Sequence, residues 1–244
     1  MKFALIGHPV AGSLSPRLIA AAYDGAHTYD LLDFERFEDA WEAFVNGYDG
    51  INVTAPFKQD AFRKVDVLSP KAQATGAVNL VVRCPQGFEG YNTDVDGVIL
   101  ALEDSSLSLR MTEYGGADAL VVGTGGAARA AVHAAQLLGC RVTVTGRSLT
   151  KAAALGCPAV SLEDASALKP DVIIYTLPGS APVPEGLPFA DAVVLEAEYR
   201  IPQLADVPCR QYVSGRRWML GQAAAGYGIF TGVAPSLEKM AKVL

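Results

Sequence analysis

Short apolar runs alternate with amphipathic stretches along most of the chain. Residues 3–6 form a continuous apolar run of strand length, and Leu18, Ile19, Ala22 and Tyr23 then recur at helical spacing until Gly25. Residues 29–34 read as a second strand. Residues 35–45 place Phe37, Trp41, Phe44 and Val45 on one face, an amphipathic helix closing at Asn46-Gly47. A third strand rises through Ile51, Asn52 and Val53. Proline lacks an amide donor and disfavours helix in the residue before it, so this strand is expected to stop near Ala55 and a helix to start at Pro56. Residues 80–83 and 88–91 flank Pro85-Gln86-Gly87 as the arms of a hairpin, and a helix is expected over 95–102. Strands alternating with helices predict a parallel sheet, whose ligands bind at the carboxyl ends of the strands.

The second half repeats the alternation with a sharper signal. Residues 119–122 are a buried-type strand, followed by Gly123-Thr124-Gly125-Gly126-Ala127-Ala128-Arg129 and a helix reaching Leu138-Gly139. This is G-x-G-x-x-A in strand-turn-helix context, the setting in which a weak glycine motif reads as a dinucleotide site. Gly123 permits the turn, Gly125 lets backbone approach a pyrophosphate, and Ala128 keeps the helix close to the sheet. The next strand, 141–145, ends in Gly146-Arg147-Ser148, with Lys151 one helical turn on. An NAD-type site would carry an acid here for the ribose 2′-hydroxyl. Arg147, Ser148 and Lys151 suit a 2′-phosphate instead, which favours NADP. Further strands are expected over 159–162, 171–177, 192–197 and 210–213, then helices over 218–230 and 235–244. The polar stretch 105–116 reads as the crossing between two lobes.

Composition narrows the class. The 244 residues are half hydrophobic, enough for one large domain or two modest ones, and 20 basic against 26 acidic residues give a net charge of −6. That balance favours neither nucleic acid nor an anionic membrane, so any phosphate must be held locally. Cys84, Cys140, Cys157 and Cys209 are scattered and His8, His27 and His133 do not cluster, which argues for reduced packing thiols and no metal. No apolar run approaches a spanning helix, and a cytoplasmic protein is expected.

The candidate chemistry gathers at strand ends. Lys58 falls in the first turn of its helix, where partial positive charge disfavours a lysine unless an anion is near. Asp94, in Gly90-Tyr91-Asn92-Thr93-Asp94, is that candidate, and the two read as the acid/base pair of an oxidoreductase. Asp94 equally fits a plain helix cap. Ser13 and Ser15, with Ser15 read as N-cap and Pro16 as the first helical residue, fit a carboxylate cradle or simple capping. Gln222 on the penultimate helix could reach a substrate or face solvent.

Ser13-x-Ser15-Pro16, Asn52-Val53-Thr54-x-Pro56-x-Lys58, Gly76-Ala77-Val78-Asn79, Asn92-Thr93-Asp94-x-x-Gly97 and the glycine loop stand in the order and approximate spacing of the shikimate dehydrogenase family, which the chain resembles along nearly its whole length. The resemblance implies an α/β protein of two domains: a mainly parallel substrate domain, residues 1–104 completed by C-terminal helices in 216–244, and a Rossmann-like NADP-binding domain, residues 105–215. It implies reversible reduction of 3-dehydroshikimate to shikimate with NADP, in aromatic amino-acid biosynthesis, by a monomer or homodimer. Ser13 and Ser15 would hold the substrate carboxylate; Thr54, Asn79, Asp94 and Gln222 its ring hydroxyls. Lys58 with Asp94 would be catalytic. Gly123, Gly125, Gly126, Ala127 and Arg129 would hold the pyrophosphate, Arg147, Ser148 and Lys151 would select NADP, and Tyr199 and Gly215 would complete the cofactor set. Two other readings fit the same scaffold: a quinate or related cyclic polyol dehydrogenase, and a low-activity paralogue that binds dinucleotide or shikimate as a sensor. Gly146, Leu80, the run Glu196-Ala197-Glu198-Tyr199 and Arg217 depart from the family pattern.

Overall fold

The computed structural model describes residues 1–103 and 116–244. The crossing expected over 105–116 lies, but for Gly116, outside the described residues. The chain divides into two compact units, one of Met1–Thr93 with Gln222–Leu244 and one of Asp94–Gly221.

The first unit holds a mixed six-stranded sheet. β1 (Lys2–Gly7) lies between β2 (Thr28–Asp33) and β3 (Gly50–Val53), all three parallel. β5 (Leu80–Cys84) runs antiparallel to β3 and to β6 (Gly87–Tyr91), joined to β6 by the hairpin residues Pro85 and Gln86. β4 (Val67–Leu68), a strand too short to leave an apolar signature, pairs parallel with β6 and closes the order β2-β1-β3-β5-β6-β4. Side chains alternate across the sheet as strands require. Ala4, Ile6, Ile51 and Val53 face Phe37, Trp41 and Phe44 of helix α2 (Phe37–Gly47). Phe3 points to the other face and stacks on Phe230 of helix α9 (Gly215–Thr231), ring centroids 4.4 Å apart. Each such large apolar side chain taken out of water contributes about 1.5–3 kcal/mol.

Two local expectations are corrected. The strand ends at Val53, and helix α3 (Lys58–Lys64) begins at Lys58, not at Pro56. Residues 54–57 are consumed by a turn: the Ala55–Pro56 peptide is cis, and the Phe57 N–H donates to the Thr54 carbonyl at 3.0 Å. Helix α1 (Ser15–Ala22) is preceded by Leu14 as its N-cap, so Ser15 is the first helical residue and not the cap. Its own N–H donates instead to the Ser13 hydroxyl, 3.3 Å away. Helix α4 (Pro70–Thr75) shows the ordinary capping that α1 lacks, with the Ser69 hydroxyl accepting from the Ala72 N–H and Gly76 ending it at φ 60°.

The second unit opens with helix α5 (Asp94–Glu103) and contains six parallel strands. These are β7 (Asp118–Val122), β8 (Arg141–Thr145), β9 (Ala159–Val160), β10 (Val172–Tyr175), β11 (Val193–Glu196) and β12 (Gln211–Val213), in the order β12-β11-β10-β7-β8-β9. Counted from β7, that is the doubly wound order 3-2-1-4-5-6, whose strand order reverses between β7 and β10. Both faces are covered. Ala119 and Val121 pack under helix α6 (Gly126–Leu137), whose Ala128, Ala131 and Ala135 are fully buried, while Leu120 and Val122 pack with Ile173, Tyr175 and Phe189. Strands buried on both sides carry unbroken apolar runs, which is why these were readable. The strands are shorter than expected, because flanking apolar residues such as Leu162, Leu177 and Ala197 lie beyond the ladder, Leu162 already in helix α8 (Leu162–Ala165).

Candidate functional site

At the carboxyl edge of the first sheet, polar side chains bond to one another instead of to solvent. The Ser13 hydroxyl donates to that of Ser15 at 3.2 Å, and Ser15 is buried. The loop that delivers Ser13 is clamped from below: Asp33, at the end of β2, meets His8 Nδ1 at 2.6 Å through Oδ1 and accepts the Val10 N–H at 3.1 Å through Oδ2. Hydrogen bonding from His8, then from Val10, holds the Asp33 carboxyl below the usual range.

Asn52, on β3, is buried; its amide donates to the Asn79 carbonyl at 3.3 Å and its Oδ1 accepts from the Tyr29 phenol at 2.8 Å. Asn79 is buried too, at the entry to β5. Its Oδ1 accepts the Thr93 N–H at 2.8 Å and its Nδ2 donates to the Thr93 hydroxyl at 3.1 Å. Its backbone is held on both sides, by Val53 N–H to its carbonyl and by its own N–H to Tyr91. Thr54 follows β3 with its N–H on the Ile6 carbonyl, and Lys58 opens α3 with its carbonyl accepting from Val78 N–H at 3.0 Å. The structure thus ties Ser13 to Ser15, seats Thr54 and Lys58 on one turn, and links that turn through Val78 to Asn79. Gln222 is half-buried on α9 and begins the C-terminal segment of this unit.

Four participants are given no role by the sequence: Tyr29, Asn52, Thr93 and Tyr227. The Tyr227 phenol, buried on α9, donates to the Ser15 carbonyl at 3.0 Å. Burial, then the neighbouring Tyr227, raises the Tyr29 phenol well above its ordinary pKa, with Ser15 as the opposing influence. Tyr29 and Tyr227 form no motif, since their partners are scattered over more than two hundred positions. Asn52 and Thr93 lie inside quoted motifs, and that was the signal available for them.

In the second unit Asp94 is the first residue of α5, where its carboxylate, with Asp96, complements the helix dipole. The glycine loop leaves β7 as anticipated. Gly123 has φ +124°, and a side chain there would overlap the Thr176 hydroxyl at the end of β10, the adjoining strand of the reversal point. Gly125 is different. It is extended, at φ −85°, and a Cβ there would meet no atom within 4 Å. The open space lies before the first turn of α6, where the N–H groups of Gly126 and Ala127 have no acceptor within the helix. The residues therefore fit a pyrophosphate, which takes N–H donors at a helix start and needs backbone close by. Arg129 lies half-exposed in the same turn.

Arg147 and Lys151 are exposed after β8, around helix α7 (Leu149–Ala153), and the Ser148 hydroxyl accepts the Lys151 N–H at 3.3 Å as its N-cap. Tyr199 sits on a loop organised by two carboxylates. Glu196, fully buried at the end of β11, accepts the Gln203 and Leu204 N–H groups and the Tyr212 phenol at 2.7, 3.2 and 2.8 Å. Glu198 accepts the Arg200 N–H at 2.8 Å and the Gly179 and Ile201 N–H groups at 3.5 Å, joining this loop to the one after β10. Gly215 opens α9 so close to β11 that a Cβ would stand 2.6 Å from the carbonyl oxygens of Glu196 and Ala197. Among the described residues no three His, Cys, Asp or Glu side chains gather as metal ligands, and no helix is long and apolar enough to cross a membrane.

Comparison with known proteins matches residues 5–81 to the family profile described as the shikimate dehydrogenase substrate binding domain. A shikimate dehydrogenase (NADP(+)) of Anaeromyxobacter dehalogenans is 33% identical over 269 aligned residues, covering 99% of this chain and 95% of the relative. The crystal structure of shikimate 5-dehydrogenase from Thermus thermophilus in complex with NADP(H) and shikimate has a TM-score of 0.83 at 28% identity, covering 100% of this chain and 98% of that one. Shikimate dehydrogenase from Aquifex aeolicus reaches a TM-score of 0.86, also at 28% identity, over 100% of this chain and 97% of that one.

Proposed function

Because the chain belongs to the shikimate dehydrogenase family, we propose that it interconverts 3-dehydroshikimate and shikimate with NADP, using the residues assembled on its two strand edges. The observation that carries this reading is the run of hydroxyls and amides from Ser13 through Ser15, Asn52 and Asn79 on one sheet edge. Such a set suits a small ring bearing a carboxylate and several hydroxyls. Ser13 and Ser15 supply donors to the carboxylate, and Thr54, Asn79 and Gln222 address the ring hydroxyls.

Lys58 is the proton carrier of this proposal: its ammonium gives a proton to the oxygen on which charge develops as the ketone is reduced, and takes it back in the reverse direction. Asp94 is its acidic partner and addresses a neighbouring hydroxyl. The nicotinamide, when bound, supplies the hydride donor or acceptor. Gly123, Gly125, Gly126, Ala127 and Arg129 hold the pyrophosphate, Tyr199 and Gly215 complete the nicotinamide end, and Arg147, Ser148 and Lys151 hold the 2′-phosphate that separates NADP from NAD. The Ser148 hydroxyl accepts the Lys151 N–H and keeps its own proton for a phosphate oxygen.

The test is kcat/KM for shikimate and for quinate, each with NADP and with NAD. The proposal expects shikimate with NADP to exceed the other three combinations. Preference for quinate, or for NAD, would replace it with the polyol dehydrogenase reading.

A further inference from the structure

The substrate edge described above is tied together by a side chain that the proposed chemistry does not use. Tyr29 leaves β2 opposite Phe3 of β1, on the sheet face that Phe230 and Tyr227 of α9 cover. Its phenol donates to Asn52 Oδ1 at 2.8 Å, and its ring meets that of Tyr227 edge-on at 6.3 Å. The direction of the bonds follows from the groups available. Asn52 Nδ2 is committed as a donor to the Asn79 carbonyl, which fixes the amide orientation and leaves Oδ1 as an acceptor for Tyr29. The Tyr29 proton is thereby spent on Asn52. Ser15 receives the Ser13 proton and keeps its own to give. One polarity thus runs from Tyr29 through Asn52 to the Asn79 carbonyl.

We infer that Tyr29 is a substrate-positioning residue, its hydroxyl fixing the Asn52 amide that in turn holds Asn79, the asparagine that meets the substrate ring. Tyr29 donates to Asn52, so the amide stays turned with its Nδ2 on the Asn79 carbonyl and keeps Asn79 in place for the ring hydroxyls. Without the phenol, Asn52 Oδ1 is left buried without its donor and the amide is free to turn away from Asn79. The Ser15 backbone does not move with it, because Tyr227 holds the Ser15 carbonyl independently.

This inference rests on the shikimate reading of the site, and its test separates the two. Tyr29→Phe removes one oxygen and keeps the ring. Tyr48→Phe is the matched control, removing a phenol that donates to Asp30 at 2.8 Å elsewhere in the same unit. Equilibrium binding of shikimate is measured by calorimetry on wild type and both variants, alongside steady-state kinetics. The expected result is a rise of about tenfold in Kd and KM for shikimate in Tyr29→Phe, the loss of one buried hydrogen bond. Its KM for NADP and its kcat should stay within about twofold, and Tyr48→Phe should match wild type in shikimate Kd. Tyr29→Phe binding shikimate as tightly as wild type, or Tyr48→Phe losing as much, would reduce Tyr29 to packing and overturn the inference alone. Wild type that binds no shikimate would overturn the inference together with the reading beneath it.

Discussion

The two ligand edges of this protein are built from opposite materials. The edge of the first unit is made of side chains, with Ser13, Ser15, Tyr29, Asn52, Asn79 and Thr93 joined by hydrogen bonds and mostly buried. The edge of the second is made of backbone and of missing side chains: Gly123 where a methyl would strike Thr176, Gly215 where it would strike two carbonyls, and Gly125 where nothing stands. The ligands explain the contrast. A ring with hydroxyls is distinguished from its relatives by where each oxygen lies, which demands donors and acceptors fixed one by one. A pyrophosphate offers dispersed negative charge, and main-chain N–H groups at a helix start answer it if no Cβ intervenes. The first edge should therefore break when an atom is removed, and the second when one is added.

The largest effect is expected at Lys58, the proposed proton carrier. Lys58→Ala should lower kcat by about two to four orders of magnitude while KM for shikimate changes little, since general acid catalysis acts on the transition state. Equal loss in both would make Lys58 a binding residue. Next come two additions on the other edge. Gly123→Ala should cost about 2–5 kcal/mol in denaturant unfolding, because φ +124° is foreign to alanine and the methyl overlaps Thr176. Gly125→Ala should unfold within about 1 kcal/mol of wild type, yet raise KM for NADP by about tenfold or more by filling the open space. If the two variants behave alike, the contrast between a structural and a ligand-facing glycine is wrong.

Smaller effects sharpen the comparison. Arg147→Ala should raise KM for NADP by about tenfold or more and leave KM for NAD within about twofold, as expected for one charge-assisted contact to a phosphate. An unchanged ratio would remove Arg147 from the 2′-phosphate. The least change is expected at Tyr175, whose buried phenol finds no partner among the described residues and whose pKa burial, then Glu196, pushes up to about 12. A raised phenol pKa means that the folded chain keeps its proton longer than the unfolded one. The associated stability is intact below about pH 10 and is lost as pH rises toward 12. Urea midpoints measured across that range should fall for wild type and fall less for Tyr175→Phe. At neutral pH the variant should unfold no earlier than wild type, because the hydroxyl it loses made no bond.

Much of this was legible because it is local. The second sheet announces itself in apolar runs such as residues 119–122, and the glycine loop is defined by spacing alone. The motifs around Asn52, Asn79 and Asp94 were visible for the same reason. What escaped notice depends on tertiary closure. β4 spans two residues and exists only because β6 offers it a ladder. The helix at Lys58 starts late because the turn from Thr54 to Phe57 takes precedence over the ordinary rule for proline at a helix start. Ser15 was read as a cap because serine before proline usually is one; here its N–H goes to Ser13 and its side chain is turned inward. Tyr29 and Tyr227 looked like ordinary strand and helix aromatics, since nothing in the chain shows that residues 15 and 227 meet.

The central claim is that this chain transfers hydride between shikimate and NADP. Purified protein mixed with shikimate and oxidised NADP, followed by the absorbance of reduced nicotinamide, addresses it directly. The account predicts reduced cofactor formed at a rate that saturates with both shikimate and NADP. Saturable binding of shikimate and NADP with no reduced nicotinamide would contradict it.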